Sequence, residues 1–164
     1  MIFHDSRNLY YRSPIGAVPT QSFVRLAIDV DLKDKVYLVR LHTCQETCGS
    51  IYYNLKKSSW DEKHYFIDLD MPEDGCLVWY YFIIEVVDGK LLYYGNNKAQ
   101  MGGIGQEALE VPPSYQITVF KKDVKTPDWF KKAVMYVSCI MSCAVVSFFK
   151  KLIQLNQTPR SSSL

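Results

Sequence analysis

Three things are scarce in this sequence: an excess of charge of one sign, a paired set of cysteines, and an apolar stretch near residue 1. Lysine and arginine number 19 against 17 aspartates and glutamates, a formal net charge of +2. So small an imbalance leaves no basic footprint for nucleic acid, and a chain that is 48% apolar and 22% charged lacks the composition of a disordered one. Five cysteines, at Cys44, Cys48, Cys76, Cys139 and Cys143, cannot close a full disulfide framework within one chain, which points to a reducing, cytoplasmic setting. The opening MIFHDSRNLYYRSPIG carries Asp5, Arg7 and Arg12 and no run of signal-peptide length, so export by that route is not expected. No internal repeat is evident, and no arrangement of His, Asp and Glu suggests nucleophilic or acid–base chemistry.

What the sequence has in plenty is tyrosine, 12 residues among an aromatic content of 14%. Tyrosine suits strands with one wet face, because the ring packs while the hydroxyl reaches water. At 164 residues the chain is expected to hold one main core, burying roughly two thirds of the unfolded surface. Polarity alternates with a period of two in several segments, the pattern of half-buried strands. In 22–31, Val24, Leu26, Ile28 and Val30 share one face. In 35–43, Tyr37, Val39 and Leu41 oppose Arg40, and the polar Lys33-Asp34 between these two segments reads as a hairpin connection. Residues 50–56 form a third strand, and 64–71 a fourth with Tyr65, Ile67, Leu69 and Met71 inward. The longest is 76–87, where Val78, Tyr80, Phe82, Ile84 and Val86 carry no charge and are expected to face the core, Glu85 falling on the other side. Asp88-Gly89 predicts a two-residue turn of the primed type with both residues at positive φ, before 90–94 returns. Residues 95–105 read as a mobile loop and 115–120 as the closing strand. Seven or so short strands with turn signals between them predict an all-β chain, an immunoglobulin-like β-sandwich over 1–122 with Ile28, Val39, Ile67, Phe82 and Ile117 in one core.

Two motifs that could carry chemistry have plainer readings. His42, Cys44 and Cys48 lack a clear fourth ligand nearby, since His64 and Cys76 are distant, so ordinary loop cysteines are favoured over zinc and no metal site is expected. Gly102-Gly103-Ile104-Gly105 is followed by no helix and has no Lys-Ser/Thr pair, so it does not read as a phosphate-binding turn. No cofactor is expected.

FHDSRNLYYRSPIGAVP at 3–19, VYLVRLHT at 36–43, VWYYFIIEVVDGKLLYYGNN at 78–97 and TPDWFKKAVMY at 126–136 together carry a resemblance. They resemble the N-terminal immunoglobulin-like domain of α-amylase-family glycosidases, glycoside hydrolase family thirteen, of the neopullulanase, cyclomaltodextrinase and pullulanase type. The resemblance runs in order over 2–136, and its last segment is the most specific. It implies that the TPDW turn ends the β domain, that 123–132 is an interdomain junction, and that Val134, Met135 and Tyr136 stand where the first strand of a catalytic (β/α)₈ barrel would start. After Tyr136 the likeness stops at VSCIMSCAVVSFF, and the catalytic carboxylates of that family lie within the barrel, so no position here inherits them. The expectation is a non-catalytic accessory domain of an α-glucan-acting glycosidase, truncated before its barrel and inactive alone.

Residues 133–164 are expected to form an apolar helix and a polar tail. The segment 133–149 carries no charge and is flanked by Lys131-Lys132 and Lys150-Lys151, which meets the lower length limit of a membrane span. A shift of reading frame near codon 137 explains the same segment without a membrane and is favoured. If Tyr80 and Phe82 face the core, Trp79 and Tyr81 face outward with Tyr93 nearby across the hairpin, and these three are the candidates for stacking on an α-glucan. The plainer reading, that they cover a second sheet or the absent barrel, is favoured because a sandwich has two sheets to join. A free carbohydrate-binding module and a membrane-tethered β domain remain the alternative readings.

Overall fold

The computed structural model describes residues 1–32, 36–45, 49–123, 128–132 and 134. The chain forms two compact units, Met1–Lys125 and Thr126–Leu164. In the second, the described structure is one helical turn, α1 (Asp128–Lys131), with Asp128 at its positive end. The longer helix and the span expected over 133–149 lie outside the described residues apart from Val134. Among the described residues no helix is long and apolar enough to cross a membrane.

The first unit is a β-sandwich of two sheets. One contains β1 (Ile2–Phe3), β2 (Arg12–Ser13), β4 (Phe23–Val30), β7 (Lys56–Lys57) and β8 (His64–Asp70). There β1 and β2 share one edge of β4, β8 pairs along its other edge, and β7 follows β8. The other contains β3 (Val18–Pro19), β5 (Val36–Gln45), β6 (Gly49–Asn54), β9 (Cys76–Val86), β10 (Leu91–Gly95), β11 (Gln106–Ala108) and β12 (Tyr115–Phe120). Its spine is β9, whose 11 residues accept β5 along one edge and two shorter strands along the other, β10 opposite Phe82–Glu85 and β12 opposite Cys76–Tyr80. Beyond these, β6 extends β5, β11 extends β10 and β3 runs parallel to β12.

The period-two readings place the core correctly. Val24, Leu26, Ile28 and Val30 of β4 and Val78, Tyr80, Phe82 and Ile84 of β9, all buried, share one core cluster with Val39, Leu41, Leu69 and Ile117 of the strands beside them. Of the five expected core residues, Ile28, Val39, Phe82 and Ile117 are buried and Ile67 packs half-buried against them.

Three local readings need correction. First, β4 and β5 are not a hairpin: β4 pairs with β1, β2 and β8, and β5 with β6 and β9, so the link between them crosses from one sheet to the other. Alternation reports that a strand has one buried face and is silent on which sheet it joins. Second, Tyr37 is 71% exposed, because the pairing with β9 slips between Val36 and Leu38; the extra residue turns outward and the alternation resumes at Val39. Third, the connection from β9 to β10 is longer than a two-residue primed turn. Gly89 N–H donates to Val86 O at 2.8 Å and Val86 N–H to Lys90 O at 3.0 Å, and only Gly89, at φ 80°, is left-handed. This is a turn over Val86–Gly89 closed by a glycine bulge, in which Asp88 keeps negative φ and its Oδ1 accepts from Lys90 N–H.

Candidate functional site

Residues 4–12 thread into the sandwich, which no alternation pattern announces. His4 is fully buried. Its Nδ1 lies 2.7 Å from Ala27 O, and since a carbonyl only accepts, Nδ1 carries the proton. Burial lowers the ring's pKa to about 4, so the imidazole is neutral and Nε2 accepts from the Tyr80 hydroxyl at 3.2 Å. The rings of Phe82 and Tyr115 pack on it at 4.9 and 5.0 Å. Desolvation likewise pushes the Tyr80 and Tyr115 phenols up, keeping both uncharged. Tyr94 donates to His4 O at 3.1 Å, and Ser6 exchanges hydrogen bonds with Gly103 through its own N–H and Oγ. The glycine-rich loop is therefore tied to the N-terminal segment among the described residues, with Asp5 bridging to Ile104.

Above this floor lies a cavity of about 390 Å³. Trp79 of β9 and Gln116 of β12, directly opposite each other in the ladder, form one wall. Arg12 of β2 forms another, 7% exposed, its Nη1 donating to Gln116 O at 3.0 Å and its Nη2 to Gly16 O at 2.8 Å. The rim is the loop from Asn96 to Gly102. Asn96 holds that loop in shape: its Oδ1 accepts from Asn97 N–H and Gly102 N–H, and its Nδ2 donates to Ser114 O. Arg7 Nη2 clamps Met101 O at 2.6 Å, and Gln100 sits left-handed at φ 55°. Two buried polar atoms of the lining side chains, Arg12 Nε and the Tyr115 hydroxyl, have no hydrogen-bond partner. No carboxylate lines the cavity, so it offers neither half of the carboxylate pair that glycoside hydrolysis uses.

The three aromatic residues expected to stack on a sugar part company. Trp79 is half-buried and lines the cavity. Tyr81 also points to the outer face of its sheet but is only 6% exposed, because His42 stacks on it at 4.4 Å. Tyr93 meets Tyr81 at 6.2 Å and 55°, so the two rings present no common plane. With Tyr52 beyond His42 at 4.9 Å, these side chains form an aromatic row that covers itself. Desolvation there lowers the basicity of His42, whose Nδ1 has no hydrogen-bond partner, and Cys48 of the suggested metal triplet lies outside the described residues.

A second hollow, of about 480 Å³, opens on the other sheet between Leu9, Tyr10, Phe23 and Trp60. Trp60, 71% exposed, stacks on His64 at 5.7 Å, and His64 Nδ1 donates to Asp29 Oδ1 at 2.7 Å while the Tyr11 hydroxyl donates to Asp29 Oδ2 at 2.6 Å. Sequence reasoning passed over Trp60, though a lone tryptophan in the polar run 57–63 was the signal available.

Comparison with known proteins gives this geometry a setting. The amylopullulanase of Thermoanaerobacter thermohydrosulfuricus is 32% identical over 146 residues, and that of Thermoanaerobacterium thermosulfurigenes 33% over 150, each match covering 81% of this chain. The chain is a domain of the α-amylase-family glycosidase type. A cyclomaltodextrinase structure shares its fold over 82% of the chain, with a TM-score of 0.50 at 15% identity. This glycosidase-type domain spans only 9% and 7% of the two amylopullulanases and 22% of the cyclomaltodextrinase. No protein-family profile matches it. Both the resemblance drawn from residues 3–136 and the β-sandwich expected from the strand pattern hold.

Proposed function

We propose that this chain serves as a non-catalytic accessory domain of an α-glucan-acting glycoside hydrolase, working beside a catalytic barrel that its own residues do not build. The observation that carries the reading is the identity to amylopullulanases over four fifths of this chain and under a tenth of theirs, the relation of one module to a multidomain enzyme. A (β/α)₈ barrel needs about 250 residues, more than the 164 here. In such an enzyme the sandwich would shape one side of the active-site cleft. The free thiol of Cys44 supports the cytoplasmic placement drawn from cysteine usage.

The second reading, a free carbohydrate-binding module, draws on the tryptophan-walled cavity. Incubating the purified chain with pullulan, starch and cyclodextrins tests the first reading. The expected result is no release of reducing sugar. Turnover that survives purification and disappears when a carboxylate of this chain is replaced would overturn it.

A further inference from the structure

We propose that β6 is a site of strand addition for a second copy of this chain, joining the seven-stranded sheets of two molecules edge to edge. The outermost strands of the two sheets are treated unequally. β1, β2, β3 and β7 are two residues long and β11 three; β3 ends in Pro19, and β7 is Lys56-Lys57. Short pieces, proline and lysine are the devices that keep a sheet edge from pairing with another chain. None of them is present in β6. Its six residues, GSIYYN, carry no charge and no proline, and its ladder with β5 runs from Arg40↔Asn54 to Gln45↔Gly49 without a bulge. Among the described residues no strand pairs along its other side.

The phase of the ladder decides which groups that side presents. Leu55 N–H donates to Val39 O at 2.9 Å, one step beyond Arg40↔Asn54 in the same register. Hydrogen-bonded pairs alternate with non-hydrogen-bonded ones between antiparallel strands, so Gly49, Ile51 and Tyr53 spend their backbone groups on β5. Ser50, Tyr52 and Asn54 therefore direct N–H and C=O away from it, and all three are exposed. A second copy fits this edge because the edge matches itself. A two-fold axis at Tyr52 sets Tyr52 opposite Tyr52 and Ser50 opposite Asn54 on either side, and each of the three residues exchanges both backbone bonds with its counterpart. No like charges meet across the seam. The two Tyr52 rings, each lying against its own His42 at 4.9 Å, form the central cross-strand pair. An extended peptide of another protein would use the same backbone groups, but only a second copy brings an edge of matching length, phase and neutrality. Pairing consumes the free edge of both copies, so assembly closes at two. One strand pair buries less than the roughly 1,200 Å² at which standard interfaces begin, so the dimer is weak and concentration-dependent.

The test is sedimentation of the full chain from about 1 μM to about 1 mM, the range in which a weak dimer forms and dissociates. A reversible monomer–dimer equilibrium without larger species is expected. Ser50→Glu with Asn54→Glu sets carboxylates opposite one another at both ends of the seam and should weaken the dimer at least about tenfold, whereas Ser50→Lys with Asn54→Glu sets opposite charges there and should restore it. Residue-resolved amide exchange of the unaltered chain keeps the test open if a variant fails to fold. Protection at Ser50, Tyr52 and Asn54 should rise with protein concentration, while Ile51 and Tyr53, already bonded to β5, change far less. A monomer at every concentration, a dimer that the paired glutamates leave intact, no recovery with the Lys and Glu pair, or exchange without this alternation would each overturn the proposal. It stands apart from the accessory-domain reading, which falls instead on hydrolysis by the chain.

Discussion

Replacing His4 with Asn tests the buried network at the floor of the cavity through its pH dependence. Above pH 6.5 the ring is neutral in both the folded and the unfolded chain and contributes nothing to any pH trend. Between 6.5 and about 4 the unfolded chain takes up a proton that the folded chain refuses, so stability falls as pH falls; below about 4 the folded ring protonates too and the decline levels off. The difference, from 6.5 to about 4, at 1.36 kcal/mol per unit gives about 3 kcal/mol lost across that window. His4→Asn removes this loss. At pH 7 the variant should be the weaker protein by about 1–3 kcal/mol, since the Tyr80 hydroxyl loses its acceptor. On acidification the two stabilities should converge, and the gap at pH 7 should have closed or reversed by pH 4. Urea unfolding at pH 7, 6, 5 and 4 measures both, and carboxylate and His42 effects shared by the two proteins cancel in the difference. A gap that stays constant over this range would refute a neutral, buried His4.

Three further substitutions probe the fold. Phe82→Ala opens a cavity at a fully buried site and should cost about 3–5 kcal/mol in urea unfolding; a loss under about 1 kcal/mol on that scale would overturn the register of β9. Gly105→Ala drives a methyl group into the Tyr115 hydroxyl and the Gly95 carbonyl oxygen, so a loss toward the upper end of ~1–3 kcal/mol is expected, and a neutral result would contradict that packing. Arg25→Ala breaks a two-pronged ion pair with Asp68, both bonds 2.7 Å, but these side chains are 53% and 42% exposed. Its cost should stay under about 1 kcal/mol and shrink in high salt. The Asp68 carboxyl, held below its usual range by Arg25, should lose this contribution as pH falls through its lowered pKa; a large salt-insensitive loss would contradict the surface placement.

The inner faces of β4, β8, β9 and β12 were legible in the sequence because a half-buried strand writes its burial as alternation. Tyr37 and the β9–β10 connection were misread because a single bulged residue shifts the pattern without changing composition. The pairing of β4 with β8 rather than β5 is a non-local choice, settled by how two apolar faces meet, and alternation does not encode it. The same limit applies to the cavity. Trp79 could be picked out by its place on β9, but Arg12, the loop residues Asn96 and Gln100, and Gln116 join it from three distant parts of the chain. Tyr81 was misjudged because orientation relative to the sheet does not fix exposure; His42, from a neighbouring strand, lies over it.

The central claim, that this sandwich does the work of an accessory domain in an α-glucan-acting enzyme, is tested most directly by exchange. In the Thermoanaerobacter thermohydrosulfuricus amylopullulanase the segment matching this chain is deleted, or replaced by residues 1–125, and hydrolysis of pullulan is compared with the intact enzyme. The account predicts that the deletion impairs the enzyme, that the exchanged domain restores a substantial part of its activity, and that residues 1–125 alone release no sugar. An exchange no better than the deletion would contradict it.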